Sequence, residues 1–172
     1  ACAMPICVFV PLCLCLSQLA TALATIPKSY GMWHLYIDPG PSPEGQESVD
    51  RLFSAIDCCL LEPPSGKYVR SLLRSKTALV YGGYNSVMDV VYSGVPALVV
   101  LREMRDEEQQ VHLERVVEVT GEQFTIVSES RVTAEELEEY LIANLQKTVK
   151  SFPGFMVKGC LLYTSDAADD LL

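Results

Sequence analysis

Short apolar runs alternate with amphipathic stretches along most of the chain. Ile6–Val10 reads as a buried strand and Leu14–Thr25 as an apolar helix. Met32–Ile37 is a second apolar run, closed by the turn signal Asp38-Pro39-Gly40-Pro41. Glu44–Ile56 has helical spacing, with Val49, Leu52, Phe53 and Ile56 on one face. Cys58–Leu61 predicts a brief strand stopped by Pro63-Pro64, and Lys67–Arg74 a helix through Tyr68, Leu72 and Leu73. Thr77–Tyr81 is a strand running into Gly82-Gly83; Ser86–Ser93 is a helix ended by Gly94 just past its last turn. Val95–Leu101 is the strongest strand, with Pro96 at its beginning, where proline is tolerated. Glu107–Glu118 predicts a polar helix with an apolar stripe of Val111, Val116 and Val119, and Phe124–Val127 a last strand. Thr133 then caps a helix over Ala134–Val149, with Glu136 completing a capping box.

About six strands alternating with about six helices imply βαβ units and a parallel sheet. Continuous apolar strands agree, because a parallel sheet is covered on both faces. The expected fold is a doubly wound, Rossmann-like parallel sheet in a three-layer α/β/α arrangement. Ligands of such folds bind beyond the carboxyl ends of the strands.

Composition narrows the partners. The 172 residues suit one domain, with 49% hydrophobic and 20% charged residues. A formal net charge of -9 repels phosphate backbones and argues against nucleic acid. It leaves room for a smaller anion held by local backbone N–H groups. The seven cysteines form no CxxC pair and no zinc-spaced cluster with histidine. Most sit in apolar runs, so reduced thiols and a cytoplasmic setting are expected. Residues 1–26 are almost wholly apolar, which raises a signal peptide or membrane span. No Lys or Arg precedes the run, Pro5 and Pro11 interrupt it, and a strand followed by a helix explains it as well.

Both ends call for separate treatment. Residues Cys160 to Asp170 resemble the one-frame translation of a transposase adaptor used in sequencing-library preparation. On that reading 160–172 is a non-native tail and the domain occupies 1–159. The chain opens Ala1-Cys2-Ala3 without an initiator Met, so further sequence upstream is expected.

The chemistry concentrates in Val80-Tyr81-Gly82-Gly83-Tyr84-Asn85-Ser86-Val87-Met88-Asp89, continuing to Gly94-Val95-Pro96-Ala97. Its layout is strand, glycine turn, helix, glycine cap, strand. Gly82 and Gly83 permit positive φ and close approach of a ligand to the backbone. The helix start beyond them offers unpaired N–H groups and partial positive charge, where a diphosphate fits. Ser86 adds a hydroxyl donor. Asp89, three residues on, shares its face, and a carboxylate there can accept both hydroxyls of a ribose. The same residues also suit a plain turn and a helix start, where Asp89 gains about 0.3–1 kcal/mol from the dipole without a ligand.

This stretch resembles the signature region of GT-B glycosyltransferases of the MurG and glycosyltransferase-28 C-terminal type. The similarity covers Thr77 to Gly121 well and Ile6 to Val149 in outline. It implies that residues 1–159 are the nucleotide-sugar-binding half of a GT-B enzyme. It implies too that Gly82, Gly83, Tyr84, Asn85 and Ser86 support the sugar nucleotide and that Asp89 holds its ribose. After the loop Arg102–Glu108, Gln109 and Gln110 correspond to the polar pair that contacts the donor sugar; side-chain amides both donate and accept. Segment Leu60–Pro64 falls where the family places the nucleobase. The family's glycine-rich turn after the first strand is replaced by Val10-Pro11-Leu12-Cys13, so either the phosphates lose one support or a frameshift has altered the start.

The resemblance implies inverting transfer of a sugar, a UDP-linked hexosamine, to an acceptor. Neither metal nor cofactor is expected, because no acidic pair resembles a metal motif. The base belongs to the other half in such enzymes; His34 and His112 are isolated and read as core or surface residues. The missing acceptor half is expected in the same longer chain or as a separate partner protein. Membrane contact would come only through that partner or a lipid acceptor, at the cytosolic face. A non-catalytic α/β module and half of a sugar-nucleotide epimerase are the rival readings.

Overall fold

The computed structural model describes residues 6–11, 15–63, 65, 67–102 and 108–148. Six strands form one parallel sheet: β1 (Ile6–Pro11), β2 (Trp33–Asp38), β3 (Cys59–Leu61), β4 (Ala78–Tyr81), β5 (Ala97–Leu101) and β6 (Phe124–Ser128). Their order is β3-β2-β1-β4-β5-β6. Among the described residues five helices connect them, α1 (Leu16–Thr25), α2 (Pro43–Phe53), α3 (Lys67–Leu72), α4 (Tyr84–Ser93) and α5 (Glu108–Thr120), and α6 (Ala134–Leu145) follows the last strand. This is the doubly wound fold that the alternation predicts.

Two apolar layers cover the sheet. Strand residues Val8, Leu35, Leu79, Leu98, Val100 and Val127 pack with Leu19 and Leu23 of α1, Phe53 of α2 and Leu137 and Leu141 of α6. Their neighbours Tyr36, Val80, Ala97 and Val99 face the other way, against Tyr68 and Leu72 of α3, Val87, Val90 and Val91 of α4 and Leu113 of α5. Strand alternation divides the apolar residues between the layers, which is why the strands read as unbroken apolar runs. Burial of every strand residue of β5 up to Val100 shows the same demand from both sides.

Several boundaries move. Helix α4 begins at Tyr84, two residues before the expected start, because Gly83 takes the N-cap position with φ −67° and ψ 145°. The apolar stripe of α5 is also different. Among the described residues Leu113 is buried, Val116 is half-buried and Val111 is 42% exposed, and the side chain of Val119 lies outside them. Helix α6 ends at Leu145 with Gln146 as its C-cap, short of the expected end at Val149; the whole of 160–172 lies outside the described residues. The same holds for Leu12 and Cys13, part of the segment replacing the family's first glycine turn. Cys15, Cys58 and Cys59 are thiols rather than disulfides. Burial beside Cys58 pushes the Cys59 thiol up to about 12, so it is an inert group at neutral pH. Among the described residues, no helix is long and apolar enough to cross a membrane.

The capping box at α6 forms as expected. Thr133 Oγ1 accepts from the Glu136 amide at 3.2 Å, and Glu136 Oε2 accepts from the Thr133 amide at 2.9 Å. Since α6 closes one face over α1, its cap is a stability element. Thr133→Ala should lower unfolding free energy by about 1 kcal/mol, measured by chemical denaturation of the full chain.

Candidate functional site

Strand order reverses between β1 and β4, and their following helices lie on opposite faces. Doubly wound sheets open a crevice at the carboxyl ends of such a pair. The Gly82-Gly83 turn and the start of α4 stand at this place.

The turn is tight but uses no left-handed backbone. The Gly82 amide donates to Val100 O at 2.8 Å, prolonging the β4–β5 ladder, and the Gly83 amide donates back to Tyr81 O at 2.8 Å. Positive φ occurs at Gly31, Gly40, Gly94 and Gly121, and not at Gly82 or Gly83. The expected reason for the pair is therefore corrected. Gly82 is small because β5 crowds it: a Cβ there would lie 2.3 Å from Leu101 Cδ2 and 3.3 Å from Val100 O. Gly83 meets nothing within 4 Å, so its missing side chain leaves open space at the helix start.

That helix start differs from those of α2 and α6. Ser42 and Thr133 cap those helices with side-chain oxygens, whereas Gly83 offers none. The first turn of α4 is Tyr84, Asn85 and Ser86, with no acidic residue. Tyr84 and Asn85 are exposed and Ser86 is half-buried. The turn thus presents partial positive charge without a carboxylate to neutralise it. At the other end, Gly94 caps α4 in the left-handed conformation, and its amide donates to Val90 O and Val91 O. Buried Gln123 donates through Nε2 to Val90 O and Val95 O, each at 3.0 Å. These bonds fix the axis of α4 relative to β5.

Asp89 lies in the next turn, on the same edge of α4 as Ser86, and is half-buried. Burial raises its pKa above the ordinary aspartate value, and the nearby Tyr68 hydroxyl of α3 opposes that rise without cancelling it. Tyr68 in turn lies edge-on to Tyr36, ring centres 6.0 Å apart. The Tyr36 hydroxyl is 2.7 Å from Ser71 Oγ.

Gln109 and Gln110 fall in the first turn of α5; their side chains lie outside the described residues. His34 is half-buried, with Nδ1 3.3 Å from Glu62 Oε1, an ion-pair partner at the β2–β3 edge. The side chain of His112 lies outside the described residues. Among the described residues, no three His, Cys, Asp or Glu side chains gather as a metal site. Leu61, Glu62 and Pro63 line a cleft of about 200 Å³ with Ile37, Gln46 and Val49.

Two features were not anticipated from the residue pattern. A cleft of about 480 Å³ opens beyond β2, lined by Asp38–Ser42, Glu44, Gly45 and Ser48. Its signal was the Asp38-Pro39-Gly40-Pro41 turn, read only as a stop. The second is a cluster joining Tyr81, Arg102 and Glu129 at the ends of three neighbouring strands. Only strand alternation, projected one residue past each strand, could have predicted it.

No family model matches the chain, and no curated protein matches it. Solved structures do. The glycosyltransferase VinC in complex with dTDP is similar over 84% of this chain and 34% of its own, with 18% identity and a TM-score of 0.61. MurG of Acinetobacter baumannii is similar over 98% of this chain and 52% of its own, with 12% identity and a TM-score of 0.65. Phenylacrylic acid decarboxylase of Aquifex aeolicus aligns over 86% of this chain and 99% of its own, with 11% identity and a TM-score of 0.50. The chain thus spans between a third and about half of the two glycosyltransferases. At these identities the likeness is one of fold: a Rossmann-like unit of the kind that forms half of a GT-B architecture.

The two glycines should separate when substituted. Gly83→Ala should change unfolding free energy by less than about 1 kcal/mol, since its φ suits alanine and nothing is displaced. Gly82→Ala must displace Leu101 and should cost about 1–3 kcal/mol. Parallel denaturant titrations of both variants check this.

Proposed function

We propose that this chain is the donor-binding half of a glycosyltransferase and holds a nucleoside-diphosphate sugar over the start of α4. The observation that carries the reading is the open N-cap at Gly83, standing at the strand-order reversal, with a half-buried carboxylate one turn away. The likeness in fold to VinC and MurG supports it, as does the dTDP bound by the former.

In this reading the amides of Tyr84, Asn85 and Ser86 face the diphosphate, with the Ser86 hydroxyl as a further donor. Asp89 accepts the ribose hydroxyls. Gln109 and Gln110 orient the sugar, which we take to be a hexosamine linked to UDP. The acceptor oxygen attacks the anomeric carbon and gives its proton to a base on the missing half. The bond from that carbon to the diphosphate oxygen breaks, and the electron pair leaves with the nucleoside diphosphate. Oriented amides aimed at the leaving group stabilise the charge it gains. The acceptor half belongs to a longer form of this chain or to a partner protein. The reaction is placed in the cytoplasm, with a membrane involved only through the partner or a lipid acceptor. Neither a metal nor a cofactor enters this scheme.

Asp89 gives a test in which binding and stability move in opposite directions. Its folded pKa lies above its unfolded one, so the folded state binds more protons between those two values. Ionised Asp89 therefore costs stability at neutral pH, and the cost disappears as pH falls below the ordinary aspartate range. Asp89→Asn should raise the melting temperature at pH 7, with the difference from wild type vanishing in acid. The same variant should lose about ten- to a hundred-fold in affinity for UDP-sugars, the scale of a hydrogen bond to a charged group. Calorimetric titration with UDP-N-acetylglucosamine and UDP, beside thermal melts, reads both. A wild type that binds neither ligand contradicts the proposal and favours a non-catalytic module.

A further inference from the structure

Tyr81, Arg102 and Glu129 are brought together by the sheet itself. Tyr81 is the last residue of β4, Arg102 follows the last residue of β5 and Glu129 follows the last residue of β6. These strands are neighbours, and the parallel register pairs Tyr81 with Val100 and Leu101 with Ser128. The Glu129 amide donates to Leu101 O at 2.8 Å, carrying the ladder one step further. By strand alternation Tyr81 shares a face with Leu79, Arg102 with Leu98 and Val100, and Glu129 with Val127. All three thus stand on the α1–α6 side of the sheet, across from α4.

The Glu129 side chain is 3% exposed, yet it carries a carboxylate. It accepts the Tyr81 hydroxyl at 2.6 Å and faces Arg102 Nε at 3.5 Å. A carboxylate this deep needs such partners. The arginine is not buried with it: its side chain is 59% exposed. Glu129 therefore holds the guanidinium at Nε while more than half of the arginine side chain stays exposed, and a planar guanidinium suits two oxygens of a phosphate.

Its place beside the glycine turn gives this cation a use. Leu101, the preceding residue, is the one that crowds Gly82. Arg102 is one step further along the chain, just past the carboxyl end of β5. The first turn of α4 contains neither Lys nor Arg, and the whole chain carries a net charge of -9. A dianionic ligand held only by helix partial charge would meet a repulsive field; one fixed cation beside the glycine turn reverses it locally.

We propose that Arg102 contacts the phosphates of a nucleoside diphosphate and that Glu129 and Tyr81 are positioning residues that aim it. This rests on the donor-site reading above and adds a residue to it. The test is calorimetric titration of the full chain with UDP and dTDP, using uridine and thymidine as phosphate-free counterparts. Arg102→Ala should weaken diphosphate binding about ten- to a hundred-fold and leave nucleoside binding unchanged. Arg102→Lys should recover part of the loss, because the charge returns without the fork. Glu129→Gln and Tyr81→Phe should show smaller losses, again confined to the diphosphates. If Arg102→Ala fails to fold with Glu129 left unpaired, the double variant Arg102→Ala/Glu129→Gln removes both charges and should show the same selective loss. Unchanged diphosphate affinity in a folded Arg102 variant overturns the inference; if Asp89→Asn still weakens binding, the donor site itself stands. Equal losses for diphosphate and nucleoside also overturn it. A wild type that binds no diphosphate overturns both.

Discussion

The placement of β1 beside β4 is the constraint from which the rest of the molecule follows. Val8 aligns with Leu35 of β2 on one side and Leu79 of β4 on the other. From that pair the chain winds outward in two directions, to β3 at one edge and β6 at the other. Helices α1 and α4 must leave on opposite faces, because each returns to a strand on its own side. Their separation opens the sheet's carboxyl edge at the reversal point, where a ligand can reach backbone amides that no strand uses.

Helix α4 is braced for this position from below and left unfinished above. Gly94, Gln123 and the buried valines fix its lower part, while its upper end has no side-chain cap. Asp89 adds a cost, since burial disfavours its charged form. A domain under selection for stability alone would gain from an uncharged residue there. Sites that hold ligands commonly carry such penalties. On the opposite face Glu129 has a similar character: a buried carboxylate that keeps an exposed arginine in one place.

Much of the fold was legible because its signals are local. Apolar runs bounded by Gly and Pro located all six strands, and Thr133 with Glu136 announced the start of α6. The start of α4 was placed two residues late because Gly83 carries no side-chain cap signal. The side chain that a cap requires is missing there, and the backbone alone supplies the geometry. Gly82 does not use the positive φ that a glycine permits. Its smallness answers Leu101, nineteen positions later, and local pattern carries no trace of that contact. Distance along the chain also hid the Tyr81–Glu129 bond, which spans 48 residues. On α5 the expected stripe included Val111, which is exposed, and left out Leu113, which reaches the core.

The account stands on the start of α4 being a place where phosphates bind. Backbone amide resonances of the full chain, followed during titration with UDP, report on that place directly. The largest shifts should fall on Gly83, Tyr84, Asn85 and Ser86, with smaller ones reaching Asp89 and Tyr68. Shifts gathered instead around the cleft at Asp38–Ser42, or none at saturating UDP, would contradict it.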